Sequence, residues 1–478
     1  MRWLRFKLVF QGFCSFLFVQ SAMADGPIQL PAIIDSDLTL TSGQTYFINR
    51  DTTVLEGIEL SMQPGAILKM CRRTTSARSV LTIRGRLRAE GLVDNVIRFA
   101  SGDDDTIGQP VSCVESGIIE FDSTEISTVR HMEVSRGIFR LRGSSPVDFS
   151  DISFNPTADF DWTFTGPLAP NITAKNISFS SRVTRTGYFV SDFVAQPGDI
   201  MPNINMPYLI SNNVEIPGNA SLRVEAGVEV RMRGRFEVFG KLEVAGALSN
   251  NVIFSSPADN RHGTVVDAGF TGSFSGFSFN PQSHSSSIRH AILAITGSAF
   301  NVLFIDGSSP YFEDVLIDLL TRSSVSTAAL IRVSQEGQPT LSCLGLRSTS
   351  TSAWSAILNE NPVSSVSATE VYWDSPLGPT VPGGETLGAR VWGDVDVDPH
   401  RTSLSGPCSL DPPFNRLLDV DGDGQVNPVI DGVLISRYMS GQRGEDLIQG
   451  LVISPGSARR SAAEIEAYLD WMITRSAR

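Results

Sequence analysis

The sequence lacks several features on which common functional classes depend. It has 478 residues, of which only 8% are aromatic and 19% are charged, and its formal net charge is −13. It contains no Cys-x-x-Cys pair, no Gly-x-Ser-x-Gly segment and no glycine-rich phosphate-binding loop ahead of a helix. The signatures of Cys-x-x-Cys thiol or metal sites, of hydrolases with a nucleophile elbow and of nucleotide-binding loops are therefore absent. The acidic balance disfavours nucleic acid as a partner.

Long apolar runs are absent beyond the amino terminus. The first 24 residues have a basic start, Met1 to Lys7, an apolar run, Leu8 to Val19, and the small-x-small sequence Ala22-Met23-Ala24. This order is typical of a secretory signal peptide and predicts cleavage before Asp25. No later segment has 18 consecutive apolar residues, so we expect no membrane span after signal removal. We expect the mature chain to be secreted, periplasmic or held at the cell surface.

The residues that are plentiful favour strands. Hydrophobic residues make up 41% of the chain, which also holds 41 Gly and 26 Pro. The tract after residue 30 is dominated by Val, Ile, Leu, Ser, Thr, Asn and Gly. β-Branched residues fit pleated sheets, whereas Gly and Asn suit the turns between strands. We therefore expect strand to outweigh helix.

One long unit occurs twice. The ordered matches are Gly85 to Gly91 with Gly240 to Gly246, Phe99 with Phe254, Arg130-His131 with Arg289-His290, and Gly143 to Pro146 with Gly307 to Pro310. The offset grows from 155 residues at Gly85 to 164 at Gly143, as small loop insertions would produce. We predict two repeats, at about residues 40–200 and 201–400.

Apolar and polar residues alternate inside each unit, as at Leu222, Val224, Leu242 and Val244. Alternation predicts strands with one buried face, and turn residues recur too soon for crossover helices. A parallel sheet without helices has to coil on itself. The phrases Pro-Gly-x-x-Leu, Gly-x-Leu-x-Ala-x-Gly and Val-Ile-x-Phe, with the closing segment 371–399, resemble right-handed parallel β-helix proteins of bacterial surfaces.

This resemblance covers roughly residues 40–400. It implies a mainly β chain whose residues 25–400 form a right-handed parallel β-helix solenoid, followed by a small α-helical module. It leaves the activity open, because that fold carries lyases, hydrolases, adhesins and inert stalks.

The composition changes near Cys408. We interpret residues 401–418 as a linker to the segment Asp419 to Asn427, which reads DVDGDGQVN. Acids at loop positions 1, 3 and 5, Gly at 6, a carbonyl at 7 and a polar residue at 9 supply the oxygens that a hard cation needs. The sequence therefore predicts a Ca2+ loop, with a solvated acidic turn as the alternative.

The tail 419–478 resembles the dockerin-type calcium loop-helix module of secreted bacterial proteins, and more closely a divergent relative attached to many proteobacterial exported proteins. The resemblance implies these ligands: side chains of Asp419, Asp421, Asp423 and Asn427, and the carbonyl of Gln425. Position 12 holds Ile430 and the acid is Asp431 at position 13, so either the loop is longer or the last ligand is lost. A dockerin also has a second calcium loop, but residues 451–460 contain no acid.

Two helices are predicted in this tail. One should cover Leu434 to Met439, whose apolar residues fall on one face before Gly441. The other should begin after Ser461, which can form a capping box with Glu464, and should present an apolar face between Ile465 and Met472.

Four cysteines remain after signal removal, and four allow three pairings. Cys71 lies in an insertion that the second repeat lacks, and Cys113 corresponds to Gly272, so both are peculiar to the first repeat. We predict the disulfides Cys71–Cys113 and therefore Cys343–Cys408, in an oxidising compartment.

An enzyme on this scaffold would need carboxylates clustered on neighbouring coils, often with calcium and a basic residue. The acidic candidates are scattered: Asp103 to Asp105, Asp148, Asp151, Glu313 and Asp314. We interpret Asp103 to Asp105 as a solvated turn. His131 and His290 are interpreted as structural because they occupy equivalent positions. We therefore assign no catalytic residue.

Two arginine trios alternate along the chain: Arg84, Arg86 and Arg88, and Arg231, Arg233 and Arg235. Each trio is expected to project from one strand face. We interpret both as solvated faces, with a polyanion-binding stripe as the alternative.

We expect a binding or surface protein whose solenoid presents an extended face to a polysaccharide or cell-surface ligand. The C-terminal module would dock to another protein or stabilise the end of the solenoid. The alternative is a polysaccharide lyase or glycoside hydrolase on the same scaffold. Three or more carboxylates converging on adjacent coils would favour the enzyme.

Overall fold

The computed structural model describes residues 26–476 apart from 75–76, 112, 114–116, 156–163, 180–186, 258, 260, 264–271, 284, 296–300, 320–328, 349–354, 362, 376, 384–387, 403, 405–417, 419, 422–426, 454–456 and 458. The predicted signal peptide, Cys408 and most of the predicted linker lie outside the described residues.

Strands make up 47% of the chain and helices 6%, as the composition predicted. The strands of the first half are β1 (Ile28–Gln29), β2 (Ile33–Ile34), β3 (Leu38–Leu40), β4 (Thr45–Ile48), β5 (Thr52–Val54), β6 (Glu59–Met62), β7 (Ile67–Met70), β8 (Arg72–Thr74), β9 (Ala77–Arg78), β10 (Val80–Ile83), β11 (Arg86–Glu90), β12 (Ile97–Ser101), β13 (Ile118–Phe121), β14 (Ser127–Val134), β15 (Ile138–Leu141), β16 (Val147–Phe154), β17 (Phe164–Gly166), β18 (Ile172–Phe179) and β19 (Tyr188–Val190).

The strands of the second half are β20 (Asp199–Met201), β21 (Tyr208–Ile210), β22 (Val214–Ile216), β23 (Ser221–Glu225), β24 (Glu229–Met232), β25 (Gly234–Val238), β26 (Lys241–Ala245), β27 (Val252–Ser255), β28 (Phe274–Phe279), β29 (Ser287–Ile295), β30 (Leu303–Asp306), β31 (Tyr311–Leu319), β32 (Ala329–Ser334), β33 (Thr340–Ser348), β34 (Ser355–Asn359), β35 (Val366–Ser367), β36 (Tyr372–Trp373), β37 (Arg390–Trp392) and β38 (Val395–Asp396).

In the described part of the chain, the strands form three large parallel sheets and one antiparallel pair. The first sheet contains β1, β3, β4, β6, β7, β11, β12, β14, β16 and β18, and the third contains β22, β25, β28, β30, β32, β34 and β37. The second sheet holds the remaining strands except β8 and β9, which pair with each other antiparallel. The chain thus returns repeatedly to the same sheets in parallel, as expected from its turn spacing.

Successive strands stack in register. Ile288 of β29 pairs with Phe312 of β31, which pairs with Leu341 of β33. In the first repeat, Val129 of β14 pairs in the same way with Phe149 of β16. Like residues therefore lie above one another, so the face to which a residue points is repeated from strand to strand.

The inward faces form one continuous hydrophobic core that extends from Leu30 to Val391. The alternating residues Leu222, Val224, Leu242 and Val244 are all buried in it, as the pattern predicted. Burial of this apolar surface is the main stabilising term, at about 25 cal/mol per Å2.

The repeated glycines Gly85 and Gly240 mark close approaches between neighbouring turns of the chain. A side chain at Gly85 would collide with the carbonyl oxygen of Ile58, and one at Gly240 with that of Pro217. Only glycine fits at these two equivalent positions.

The C-terminal part holds helices α1 (Asp431–Met439), α2 (Glu445–Ile448) and α3 (Ala462–Ser476). Its separate small core consists of Val420, Leu434, Tyr438, Leu447, Ile465, Tyr468 and Leu469. Both predicted helices are present, and the capping box is confirmed because Ser461 and Glu464 exchange hydrogen bonds between side chain and backbone. Met439 does not belong to the buried face, since it is 67% exposed.

One predicted disulfide is confirmed. Cys71 and Cys113 are bonded, with their Cα atoms 5.5 Å apart. Cys343 lies on β33, but Cys408 is outside the described residues, so their pairing stays a prediction.

Candidate functional site

Three of the six predicted calcium-loop residues can be placed. Asp421, Asn427 and Asp431 belong to the part of the chain that the structure describes, whereas Asp419, Asp423 and Gln425 do not. Asp421 and Asp431 are each only 1% exposed. The side chains of Asp421, Asn427 and Asp431 carry oxygen atoms, which are the ligands that Ca2+ prefers.

Asp431 organises the loop through backbone amides. Its Oδ1 accepts hydrogen bonds from the amides of Val420 at 2.7 Å and Asp421 at 3.2 Å, and its Oδ2 accepts one from Asn427 at 2.6 Å. Burial raises the pKa of Asp431, although these three bonds oppose the shift. The acid at position 13 therefore holds the two ends of the loop together, and its role as a calcium ligand stays a prediction.

The acid-free segment after α2 packs against the same loop. The hydroxyl of Ser457 donates to Oδ2 of Asp421 at 3.0 Å, and the amide of Arg459 donates to the carbonyl of Asp421 at 2.8 Å. Ser457 and Arg459 thus fix the position of Asp421 in the loop. Among the residues that the structure describes, no group of three or more His, Cys, Asp or Glu side chains could hold a metal ion.

A cleft of about 620 Å3 lies on the outer face of β23, β26, β29 and β31. The strand register brings the lining residues side by side, because Arg223 pairs with Glu243, Glu243 with Ser287 and Arg289 with Glu313. The sequence shows that these residues alternate with core residues, but not that they line one cleft. The lining side chains that carry charge are Arg223, Lys241, Glu243, Arg289 and Glu313, and His290 lies beside them.

The charged side chains that line this cleft form ion pairs with one another. Glu243 lies 3.0 Å from Arg223 and 3.3 Å from Lys241. Arg289 lies 3.4 Å from Glu313 and also stacks over the ring of Tyr311, with its Cζ 5.1 Å from the ring centroid. The lining has three basic side chains against two acidic ones, which is a local positive excess on an acidic chain.

His131 and His290 occupy matching corners of the two repeats. Both have left-handed backbone conformations, with φ of 46° and 47°, and each lies beside an Asp of the next strand that also has positive φ. The two histidines therefore occupy equivalent turn positions of the backbone. His290 Nδ1 is 2.6 Å from Oδ2 of Asp314, whereas His131 Nδ1 is 3.9 Å from Oδ2 of Asp151. The sequence predicted that the two sites were equivalent, but not that they differ in this way.

A buried charge cluster was missed at the sequence level. His262 lies between two carboxylates, with Nδ1 3.1 Å from Asp259 and Nε2 3.3 Å from Asp318. Arg347 binds Asp318 through two hydrogen bonds of 3.1 and 2.6 Å. Asp318 is fully buried on β31, where its neighbours in the chain are apolar. A single acid within an apolar strand was the feature of the sequence that could have indicated a buried charge.

The cluster is ionic despite its burial. Burial lowers the pKa of His262, but the two aspartates outweigh it and raise the pKa above its usual value. Burial by itself would raise the pKa of Asp318, because it disfavours the charged carboxylate. Arg347 and His262 outweigh this effect and hold the pKa well below its usual value. Buried charges of this kind are tolerated only when paired.

The interpretation of Asp103 to Asp105 as a solvated turn is wrong for Asp104. That residue is 5% exposed, and its carbonyl accepts a hydrogen bond of 2.8 Å from the buried ammonium of Lys69. The second repeat has the same arrangement, in which the carbonyl of Asp259 accepts a 2.5 Å bond from Arg231. A loop therefore covers a buried cation at equivalent places in both repeats.

The interpretation as a solvated face holds for the exposed side chains of Arg84, Arg86 and Arg88 but is wrong for the second arginine trio. Arg231 is fully buried on β24, and Arg235 is on β25, which belongs to a different sheet. Gly234 turns the chain between them with φ of 90°. In the first trio Arg84 precedes β11, while Arg86 and Arg88 are exposed on it and pair with Glu59 and Glu90.

No helix among the described residues is long and apolar enough to cross a membrane. Comparison of the chain with protein-family models, with curated proteins and with solved structures finds no match in any of the three.

Proposed function

We propose that this chain is a secreted binding protein, built as a right-handed parallel β-helix solenoid, that holds an acidic polysaccharide or cell-surface glycan on the outer face of its second repeat. The stacked parallel sheets support the solenoid. The observation that supports ligand binding most directly is the cleft along β23, β26, β29 and β31, which has three basic side chains in its lining.

Charge favours an acidic ligand. The chain carries −13 overall, so a patch with more basic than acidic groups attracts anions that the rest of the surface repels. Arg289 is 53% exposed and is held in place by Tyr311 and Glu313, which lowers the entropy cost of using it for binding. A guanidinium fixed in this way suits a carboxylate or sulfate group on a sugar.

The alternative is a lyase or hydrolase on the same scaffold. Such an enzyme would need accessible carboxylates that converge and are free to titrate. In the described cleft, Glu243 and Glu313 are each paired with basic side chains. The more closely grouped acids, Asp259 and Asp318, are buried and neutralised by His262 and arginines, which supports binding over catalysis.

The C-terminal module is proposed to bind Ca2+ and either to dock to another protein or to stabilise the end of the solenoid. Two observations support this proposal: Asp421 is buried, and the carboxylate of Asp431 accepts hydrogen bonds from the backbone amides of Val420 and Asn427 at the two ends of the loop.

The first prediction tests the cleft. Polygalacturonate, alginate and dextran sulfate would be titrated into the full chain by calorimetry at about 0.15 M salt, with neutral dextran as the reference. At least one acidic polymer should bind, and Arg289→Ala should weaken it about tenfold or more, because a charge-assisted hydrogen bond is worth roughly 1.5 to 3 kcal/mol.

Arg332→Ala is the matched control. Arg332 pairs with Glu360 at 2.8 Å and stacks over Phe304, as Arg289 does with its own partners, but it lies on the third sheet. Equal losses in both variants, or equal binding of neutral dextran, would contradict the cleft assignment. Release of unsaturated or reducing ends during the titration would favour the enzyme.

A further inference from the structure

The two His–Asp corners have the same backbone but different environments. The side chain of Asp314 is 6% exposed and that of His290 is 24% exposed, against 37% for Asp151 and 30% for His131. In the first repeat, Oδ1 of Asp151 also accepts a 2.8 Å hydrogen bond from Asn176. In the second, Oδ1 of Asp314 is buried and has no hydrogen-bond partner in the part of the chain that the structure describes. The carboxylate of Asp314 therefore accepts its hydrogen bond from His290, whereas that of Asp151 accepts one from Asn176.

This difference fixes the imidazole in the second repeat. A carboxylate at 2.6 Å from Nδ1 accepts the Nδ1–H, so Asp314 sets both the tautomer and the ring orientation of His290. Nε2 is then the nitrogen available for a further hydrogen bond, and His290 lines the cleft next to Arg289 and Glu313. His131 is 3.9 Å from its aspartate and is not held in this way.

We propose that His290, positioned by Asp314, hydrogen-bonds a sugar hydroxyl of the ligand through Nε2, and that this contact makes the second repeat rather than the first the binding repeat. The inference rests on the proposed function and adds a specificity-determining residue to it. Arg289 supplies the charge for the acidic group, while His290 supplies a directional contact that a charged surface alone lacks.

Substitution by Asn separates a structural role from ligand contact, and this is the second prediction. Asn tolerates positive φ and places an amide donor near Nδ1, so His290→Asn keeps the corner and the bond to Asp314 but removes Nε2. The variant should unfold at the wild-type temperature yet bind polygalacturonate or alginate, whichever the wild type binds more tightly, about tenfold more weakly. His131→Asn is the matched control and should bind as the wild type does.

A spectroscopic readout uses 15N-histidine labelling of the full chain, which has five histidines. In the free protein at neutral pH, the neutral form of His290 should carry its proton on Nδ1, and Asp314→Asn should disturb that preference. Addition of the polymer should shift Nε2 of His290 and leave His131 unchanged.

The outcomes separate the two proposals. If Arg289→Ala weakens binding but His290→Asn does not, the histidine contact is refuted while the binding function stands. An Nε2-protonated His290 in the free protein would also refute it. If the wild type binds none of the acidic polymers, both proposals fail together.

Discussion

At the scale of single residues, buried charges are the main feature that strand patterns do not anticipate. His262, Asp259 and Asp318 form a paired ionic group under a loop on the outer face of the second sheet. Side chains at the outward positions of these strands are usually polar because they contact water. At this place a loop covers them and excludes the water. The pairing then decides the protonation state, because each partner favours the charged form of the other.

The third prediction is a pH dependence from this group. The folded-state pKa of His262 is raised, so its contribution to stability should be complete below its ordinary pKa of about 6.5 and lost as the pH rises through the folded value. The depressed pKa of Asp318 acts at the other end, since its contribution is present above about pH 4 and is lost only well below that. Thermal unfolding should therefore give a lower midpoint at pH 9 than at pH 6.

His262→Gln should flatten this alkaline decline, and His131→Asn should leave it unchanged. An identical decline in His262→Gln would show that another group is responsible.

At the scale of elements, the C-terminal loop and α1 depend on one another. Asp431 is the first residue of α1, and its carboxylate bonds the amides at both ends of the loop, so loop closure and helix start form together. Among the residues that the structure describes, the core of this part contains seven buried apolar side chains. Such a small core should be marginal without an added stabilising contact.

The fourth prediction is that calcium stabilises this part. Hydrogen exchange of the full chain should show stronger protection of residues 431–439 in calcium than in chelator, because binding adds RT ln(1 + [Ca]/Kd), about 2.7 kcal/mol at a hundredfold excess over Kd. Peptides from β29 (Ser287–Ile295) should be unaffected and provide the internal reference.

Asp421→Asn keeps an acceptor for Ser457 but removes the charge, so it should abolish the calcium response. Equal protection in calcium and chelator would mean that the loop is an acidic turn without a metal.

At the scale of the whole molecule, the two repeats share a scaffold but differ in what is added to it. The Cys71–Cys113 bridge belongs to the first repeat, and the cleft lined by Arg289 and His290 to the second. Both repeats keep the covered cation, Lys69 in one and Arg231 in the other. The shared features support the fold, whereas the cleft in the second repeat, with its fixed His290, is where we propose that a ligand binds.

The fifth prediction concerns how the tail is tied to the scaffold. Cys343 lies on β33 and Cys408 follows the last strand, so their bridge would fasten the chain beyond β38 to the second repeat. A bridge that closes a loop of this length should add on the order of 2 to 4 kcal/mol. Peptide mapping under non-reducing conditions should recover the Cys343–Cys408 pair; free thiols or crossed pairs would refute it.

The sequence alone determined the properties that depend on local pattern and on internal repetition. Alternation predicted which side of each strand is buried, as at Leu222 and Val224, because side chains of a strand point to opposite faces in turn. The absence of Cys71 and Cys113 from the second repeat predicted their bridge, and the Ser461–Glu464 spacing predicted the start of α3.

Only the tertiary structure decided what lies on the outer face. Arg223, Glu243 and Glu313 are far apart in the chain but line one cleft, because parallel strands stack in register. Whether an outward residue is exposed or buried depends on which loop folds over it, and this is why Arg231 and Asp318 were not recognised as buried. Periodicity specifies inside and outside of a strand, but the partners of outward side chains are set by contacts between distant strands and loops, which no local pattern encodes.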